Sequence, residues 1–178
     1  NNVLDATMSW TKLVRDKDDL EGIPDDSLEA AAEAAKAKDL EGWLFTLEYP
    51  SFFPVSTYCS NRELRREMYN AYVTRASEIG PDDGKFDNTE KMEEILKYRH
   101  ELAQLLDFNN YAELSLATKM AENTAEVLTF LTDLADKSIA QGKEEIAVMK
   151  EFAAAELGID DLQAWDSAFV GEKLRQHK

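Results

Sequence analysis

His100-Glu101-Leu102-Ala103-Gln104 is one letter short of H-E-x-x-H. That motif works by geometry: two imidazoles at i and i+4 share one helix face and bind one zinc ion, and the glutamate between them activates the metal's water. Gln104 offers a weakly coordinating amide where the second imidazole belongs. A one-position match within a charged helix is also a weak signal. The plainer reading is a helix with Leu102, Leu105 and Leu106 packed inward while His100 and Glu101 meet solvent.

Other residues that could do chemistry are no better placed. The second histidine, His177, is far from His100 in sequence, so a zinc site would need both together with carboxylates or Cys59, and no spacing supports that. Two stretches fail as calcium loops. The run from Asp16 to Glu21 has Leu20 at the fifth ligand position and Glu21 where glycine is required, and the loop around Gly84 would begin on Ile79. Cys59 has no general base nearby and is expected to be a half-buried structural thiol. The 36 carboxylates must include chance pairs at glycosidase spacing, and sequence selects none of them. Phosphate-binding glycine loops and the nucleophile-elbow pattern are absent. Trp43, Phe45, Tyr49, Phe52, Phe53 and Tyr58 could line a groove, although packing of a small sheet against helices is the favoured expectation. Arg62, Arg65 and Arg66 alternate with Glu63 and Glu67, which reads as a solvated helix face. No catalytic, cofactor-binding or metal-ligating residue is assigned.

The elements that would position these residues are mostly helical. Apolar residues from Val3 to Val14 make a ragged helical stripe, broken by Gly22 and Pro24. An alanine-rich helix runs from Ser27 to about Leu40, its small side chains suited to peripheral placement or close backbone packing. Trp43 to Tyr58 is rich in aromatic and β-branched residues, and Pro50 and Pro54 argue against continuous helix, so a hairpin or paired extended segments are expected there. Asn61 caps a helix reaching Ile79, which Gly80-Pro81 ends. Asn88 caps the next, which extends to Leu106. A turn at 107–110 precedes a short helix from Tyr111 to Thr118. Asn123 and Glu126 resemble a capping box opening a helix that reaches Leu157, with Gly158 as its stop. A last helix includes Leu162 to Leu174. The fold class is therefore mainly α: one multi-helix domain over residues 1–178 with a short hairpin-like extended segment near 43–58, and no repeat of solenoid length.

Composition narrows the partners. With 178 residues and a net charge of −16, the surface repels phosphate backbones and anionic lipid, which argues against nucleic-acid and membrane roles. One cysteine excludes an internal disulfide framework and suits a reducing compartment, the cytoplasm by default. The chain starts at Asn1-Asn2-Val3-Leu4 without methionine and ends at Gln176-His177-Lys178 without a stop signal. Both ends look cut, as in a piece of a larger polypeptide.

The block RHELAQLLDFNNYAELSLATKMAEN, followed by VLTFLTDLADK, resembles the non-catalytic helical half of zinc peptidases in the oligopeptidase A, thimet oligopeptidase and dipeptidyl carboxypeptidase family. Similar segments span nearly the whole chain: residues 2–7 and 47–51, Arg65, Met68, Tyr69, Tyr72, Arg75-Ala76-Ser77, and Ala164-Trp165-Asp166. Two positions depart from the pattern. Asp107 stands where the family usually has glycine, and Phe169-Val170 replaces an aromatic pair. The resemblance implies an elongated helical enzyme whose two halves enclose a channel that admits short, unstructured peptides. It further implies that zinc, bound by H-E-x-x-H and another glutamate, lies beyond Lys178, so that none of the metal ligands falls on this chain and His100-Glu101 belongs to a structural helix. Two functional readings follow. In one the chain is an internal fragment forming scaffold and channel wall, with short peptides and the catalytic half of the same polypeptide as partners. In the other it is a self-standing acidic helical module that binds peptides or a protein.

Overall fold

A computed structural model describes residues 2–177, so Asn1 and Lys178 lie outside the described residues. In chain order the elements are α1 (Asn2–Ser9), β1 (Thr11–Val14), a 3-10 turn (Asp18–Leu20), α2 (Asp25–Lys36), β2 (Trp43–Thr46), α3 (Tyr49–Tyr58) and α4 (Arg62–Thr74). Then follow α5 (Thr89–Leu105), α6 (Tyr111–Leu116), α7 (Thr124–Leu157), a 3-10 turn (Ala164–Asp166) and α8 (Ser167–His177). Among the described residues the chain is mainly helical with one two-stranded antiparallel sheet. Its contacts divide into two compact units, one of residues 2–88 and 149–177 and the other of residues 89–148.

In the first unit, the stripe expected to be one helix from Val3 to Val14 breaks at Trp10. Thr11 to Val14 leaves the helix to pair with 43–46, in the register Thr11↔Thr46 to Val14↔Trp43. The extended part of 43–58 is thus only its first four residues, and its partner strand comes from a distant segment. Residues 49–58 form α3 instead of a second strand. Pro50 falls in the first turn, where a missing N–H costs nothing. Pro54 does remove a helical bond. Burial of Val55 and the close stacking of Phe52 on Tyr72, at 4.2 Å between centroids, offset it.

Phe45, Leu20, Ile23, Val55, Cys59, Leu64 and Met68 form the first apolar cluster, with Val14 and Ala31. Each large side chain fully buried there contributes roughly 1.5–3 kcal/mol. Ala31 and Ala35 are the buried residues of α2, and their small size lets that helix lie close on β2. Asn61 caps α4 as expected, its Oδ1 accepting from the Leu64 N–H at 3.1 Å; α4 stops at Thr74, short of Ile79. A second cluster gathers Ala153, Ile159, Phe169 and Val170, with Met149 and Phe152 against it. Gly158 takes a left-handed φ of 64° after α7, and the Ile159 N–H returns to the Ala153 carbonyl at 2.9 Å.

The second unit holds α5, α6 and α7 as far as Val148. Among its described residues only Ala103 is fully buried. Leu102, Leu105 and Leu106, expected to pack inward, are all exposed. The unit offers them no apolar layer to enter. Local caps hold the helix ends instead. Asp107, with φ 60°, ends α5 in a Schellman turn, the Phe108 N–H returning to the Ala103 carbonyl at 2.9 Å. Asn110 and Asn123 cap α6 and α7 through the N–H groups of Glu113 and Glu126. The Glu126 carboxylate reaches back one residue beyond a standard capping box, to the Glu122 N–H at 2.7 Å. At 34 residues, α7 is roughly 50 Å long at ~1.5 Å per residue. Among the described residues no helix is long and apolar enough to cross a membrane.

Gly42 has a φ of +121° at the start of β2, and a Cβ there would strike the Val14 carbonyl oxygen across the sheet. Gly42→Ala is therefore expected to lower unfolding stability by about 2 kcal/mol, read as a shifted urea midpoint at an unchanged slope.

Candidate functional site

The near-motif helix does not assemble a metal site. His100 and Glu101 are exposed, and Glu101 lies 4.0 Å from Lys97 in a loose ion pair. The Gln104 amide donates to the carbonyls of Phe108 at 3.1 Å and Asn109 at 2.9 Å. Its place in the fold is to fasten the turn after α5. Its nitrogen is thus committed as a donor, which leaves the amide oxygen as the only, weak ligand this side chain could offer. Among the described residues no group of three or more His, Cys, Asp or Glu side chains is placed to hold a metal.

The densest polar chemistry lies instead in the first unit, where sequence reading expected a solvated face. Arg65 is 1% exposed and Asp166 is 0% exposed. Arg65 falls within the buried stripe of α4, beside Leu64, Met68 and Ala71. Its Nη2 donates to Asp166 Oδ1 at 2.9 Å, and its Nη1 donates to the Cys59 carbonyl at 2.7 Å and the Ser60 carbonyl at 3.2 Å. The guanidinium also lies over the Phe169 ring, 4.0 Å from its centroid. One side chain thereby satisfies carbonyls at the end of α3 and meets both the turn before α8 and α8 itself.

Arg62, 39% exposed in its side chain, completes the arrangement. Its Nε donates to both Asp166 oxygens at 3.0 and 3.1 Å, and its Nη2 reaches Asp166 Oδ2 at 2.7 Å and the Asp161 carbonyl at 2.6 Å. The Gln163 N–H gives Asp166 Oδ2 a further bond at 3.0 Å. Burial acts to raise the Asp166 carboxyl, but hydrogen bonds from Arg62, Arg65 and Gln163 outweigh it and hold the group below its usual range. Asp166 in turn raises the Arg62 guanidinium. Of the three arginines only Arg66 behaves as expected, exposed and paired with Glu63. The arrangement is a fixed, charge-compensated joint, without a free base or nucleophile.

Cys59 is fully buried, beyond the half-burial expected, and its Sγ donates to the Asp19 carbonyl at 3.3 Å. Burial pushes its thiol upward, so it stays protonated and unreactive. The aromatic run splits. Phe45 enters the core and Phe52 stacks on Tyr72, whereas Tyr49 and Phe53 remain exposed against each other at 5.3 Å. A recess of about 230 Å³ borders Phe45, Pro50 and Ala30, and a larger open one of about 760 Å³ lies between Trp10, Asn70 and Trp165. Trp165, which lines the larger recess, has an indole N–H that is buried without a hydrogen-bond partner among the described residues.

The profile of Peptidase family M3 matches residues 55–178. Oligopeptidase A of Escherichia coli strain K12 is 60% identical over 99% of this chain and 26% of its own length. The organellar oligopeptidase A of Arabidopsis thaliana is 42% identical over 99% of the chain and 23% of its own length. Dipeptidyl carboxypeptidase of Escherichia coli strain K12 is 27% identical over 99% and 25% respectively. The chain thus spans about a quarter of the length of the curated relatives it matches.

A carboxylate with a depressed folded-state pKa contributes stability above its unfolded value and loses it as pH falls through the folded one. Asp166→Asn should cost about 3–5 kcal/mol at pH 7, because it leaves the buried Arg65 charge uncompensated. Arg62→Ala should cost only about 1 kcal/mol, since its partly exposed charge is screened by water. Urea unfolding from pH 7 down to pH 2 checks both, and the gap between wild type and Asp166→Asn should narrow below about pH 4.

Proposed function

Because the chain belongs to peptidase family M3, we propose that it is a non-catalytic helical segment of a zinc oligopeptidase, supplying scaffold and channel wall for an enzyme that hydrolyses short peptides. The observation that carries this reading is a match to oligopeptidase A across 99% of the chain but only 26% of that relative. The only H-E-x-x sequence here, at His100, is followed by a glutamine that fastens a turn. Zinc and its ligands belong to the remaining polypeptide on this reading, and no residue described here enters the hydrolytic step. The contribution of this segment is rigidity. Arg65, Arg62 and Asp166 fix α3, α4 and α8 to one another, so that a wall built on them keeps its shape while peptides bind and leave. A single cysteine, buried and reduced, suits a cytoplasmic setting.

A quenched fluorescent peptide assay tests the assignment. The 178-residue chain with added zinc should give no turnover above buffer, whereas the full-length polypeptide should cleave the peptide. In the full-length enzyme His100→Ala should leave kcat/KM within about twofold of wild type. Turnover by the isolated chain that survives repurification and disappears in His100→Ala would overturn the proposal.

A further inference from the structure

We infer that α7 seats a helix supplied by a part of the longer peptidase polypeptide outside residues 2–177. Most of the chain's exposed large apolar side chains lie in residues 89–148, the unit with a single fully buried residue. A unit of this size without a core cannot hold its fold against chain entropy, so its apolar surface requires a cover.

On α7 the pattern is specific. Leu128, Leu131, Ala135, Ile139, Gly142 and Ile146 recur every three or four residues and are all exposed. At ~100° per residue they fall within an arc of roughly 80°, the narrow seam by which one helix packs along another. The opposite side carries polar side-chain pairs alongside the exposed Phe130 and Val148. Lys137 bonds Asp133 at 2.6 Å and Gln141 bonds Glu145 at 2.8 Å. Ala135 and Gly142 leave room for a close approach, and a Cβ at Gly142 would meet nothing within 4 Å.

The same spacing continues to Met149 and Ala153. There the seam is covered, and what covers it is a helix. Ala153 is buried in one cluster with Phe169 and Val170 of α8, with Met149 packed against it. The seam is therefore continuous in spacing with an existing helix–helix interface, and its uncovered stretch calls for the same kind of occupant. The relatives supply the chain for it, since this sequence spans only 26% of oligopeptidase A. The inference rests on the chain being part of such a longer polypeptide, and its test separates the two.

In the full-length polypeptide, Ile139→Cys and the milder Ala135→Cys should react with a maleimide at least about tenfold more slowly than Glu144→Cys on the opposite face, over the wild-type background. The protection should persist on hundred-fold dilution and need no peptide. Labelling at 139 and 135 within about twofold of 144 overturns the inference. So does protection lost on dilution, which would assign the seam to a second copy, or protection that appears only with peptide, which would assign it to substrate. Peptide turnover is read in the same samples. An active enzyme labelled freely at 139 and 135 defeats the helix seat and leaves the peptidase assignment standing, whereas an inactive polypeptide protected there does the reverse.

Discussion

Burial of Arg65 against Asp166 is the constraint to which the first unit is built. Removing either charge from water costs several kcal/mol, and only close, directional partners offset it. Asp166 receives bonds from Arg62, Arg65 and the Gln163 backbone, and Arg65 meets the last carbonyls of α3 and the face of Phe169. Those partners tie together the two apolar clusters. Leu64 and Met68 of the first flank Arg65 on α4, and Phe169 of the second lies beneath its guanidinium. Apolar packing alone would tolerate sliding of one cluster over the other. A carboxylate that must meet two guanidinium groups does not, because any displacement leaves a charge in the dark.

Residues 89–148 are organised on a different principle. With Ala103 as the one fully buried side chain among those described, this unit draws its definition from capping. Asn110 and Asn123 open helices, Asp107 closes one, and Gln104 and Glu113 hold the intervening turn. Such devices specify where helices begin and end but contribute only about 1 kcal/mol each. The contrast is between a block braced from within and a unit defined chiefly by its helix ends.

What could be read from sequence follows the range of the interaction. The caps at Asn61 and Asn123 and the stop at Gly158 involve residues three to six apart and were legible. The family was legible for a related reason, since a long unbroken block carries it. Residues 49–58 misled because proline and aromatic residues argue for extended chain on local grounds, and stacking on Tyr72 overrides them. The joint at Asp166 was hidden by distance. Arg65 carried one usable signal, an arginine in register with Leu64, Met68 and Ala71 on an apolar stripe, but the intervening glutamates masked it. Nothing local pairs it with a carboxylate 101 residues away.

That separation also sets a clock. Arg65 leaves the ribosome long before Asp166, and at ~5–20 residues per second the delay is roughly 5–20 s. Throughout it, α4 has its buried arginine but no carboxylate to meet it, and closing the core early would strand a bare cation. Residues 2–88 are made before the carboxylate that compensates Arg65, with residues 89–148 in the interval, so closing their core around Arg65 ahead of Asp166 would carry the cost of an unpaired buried charge. A nascent chain stalled anywhere before Asp166 would present its unfinished core to chaperones and proteases.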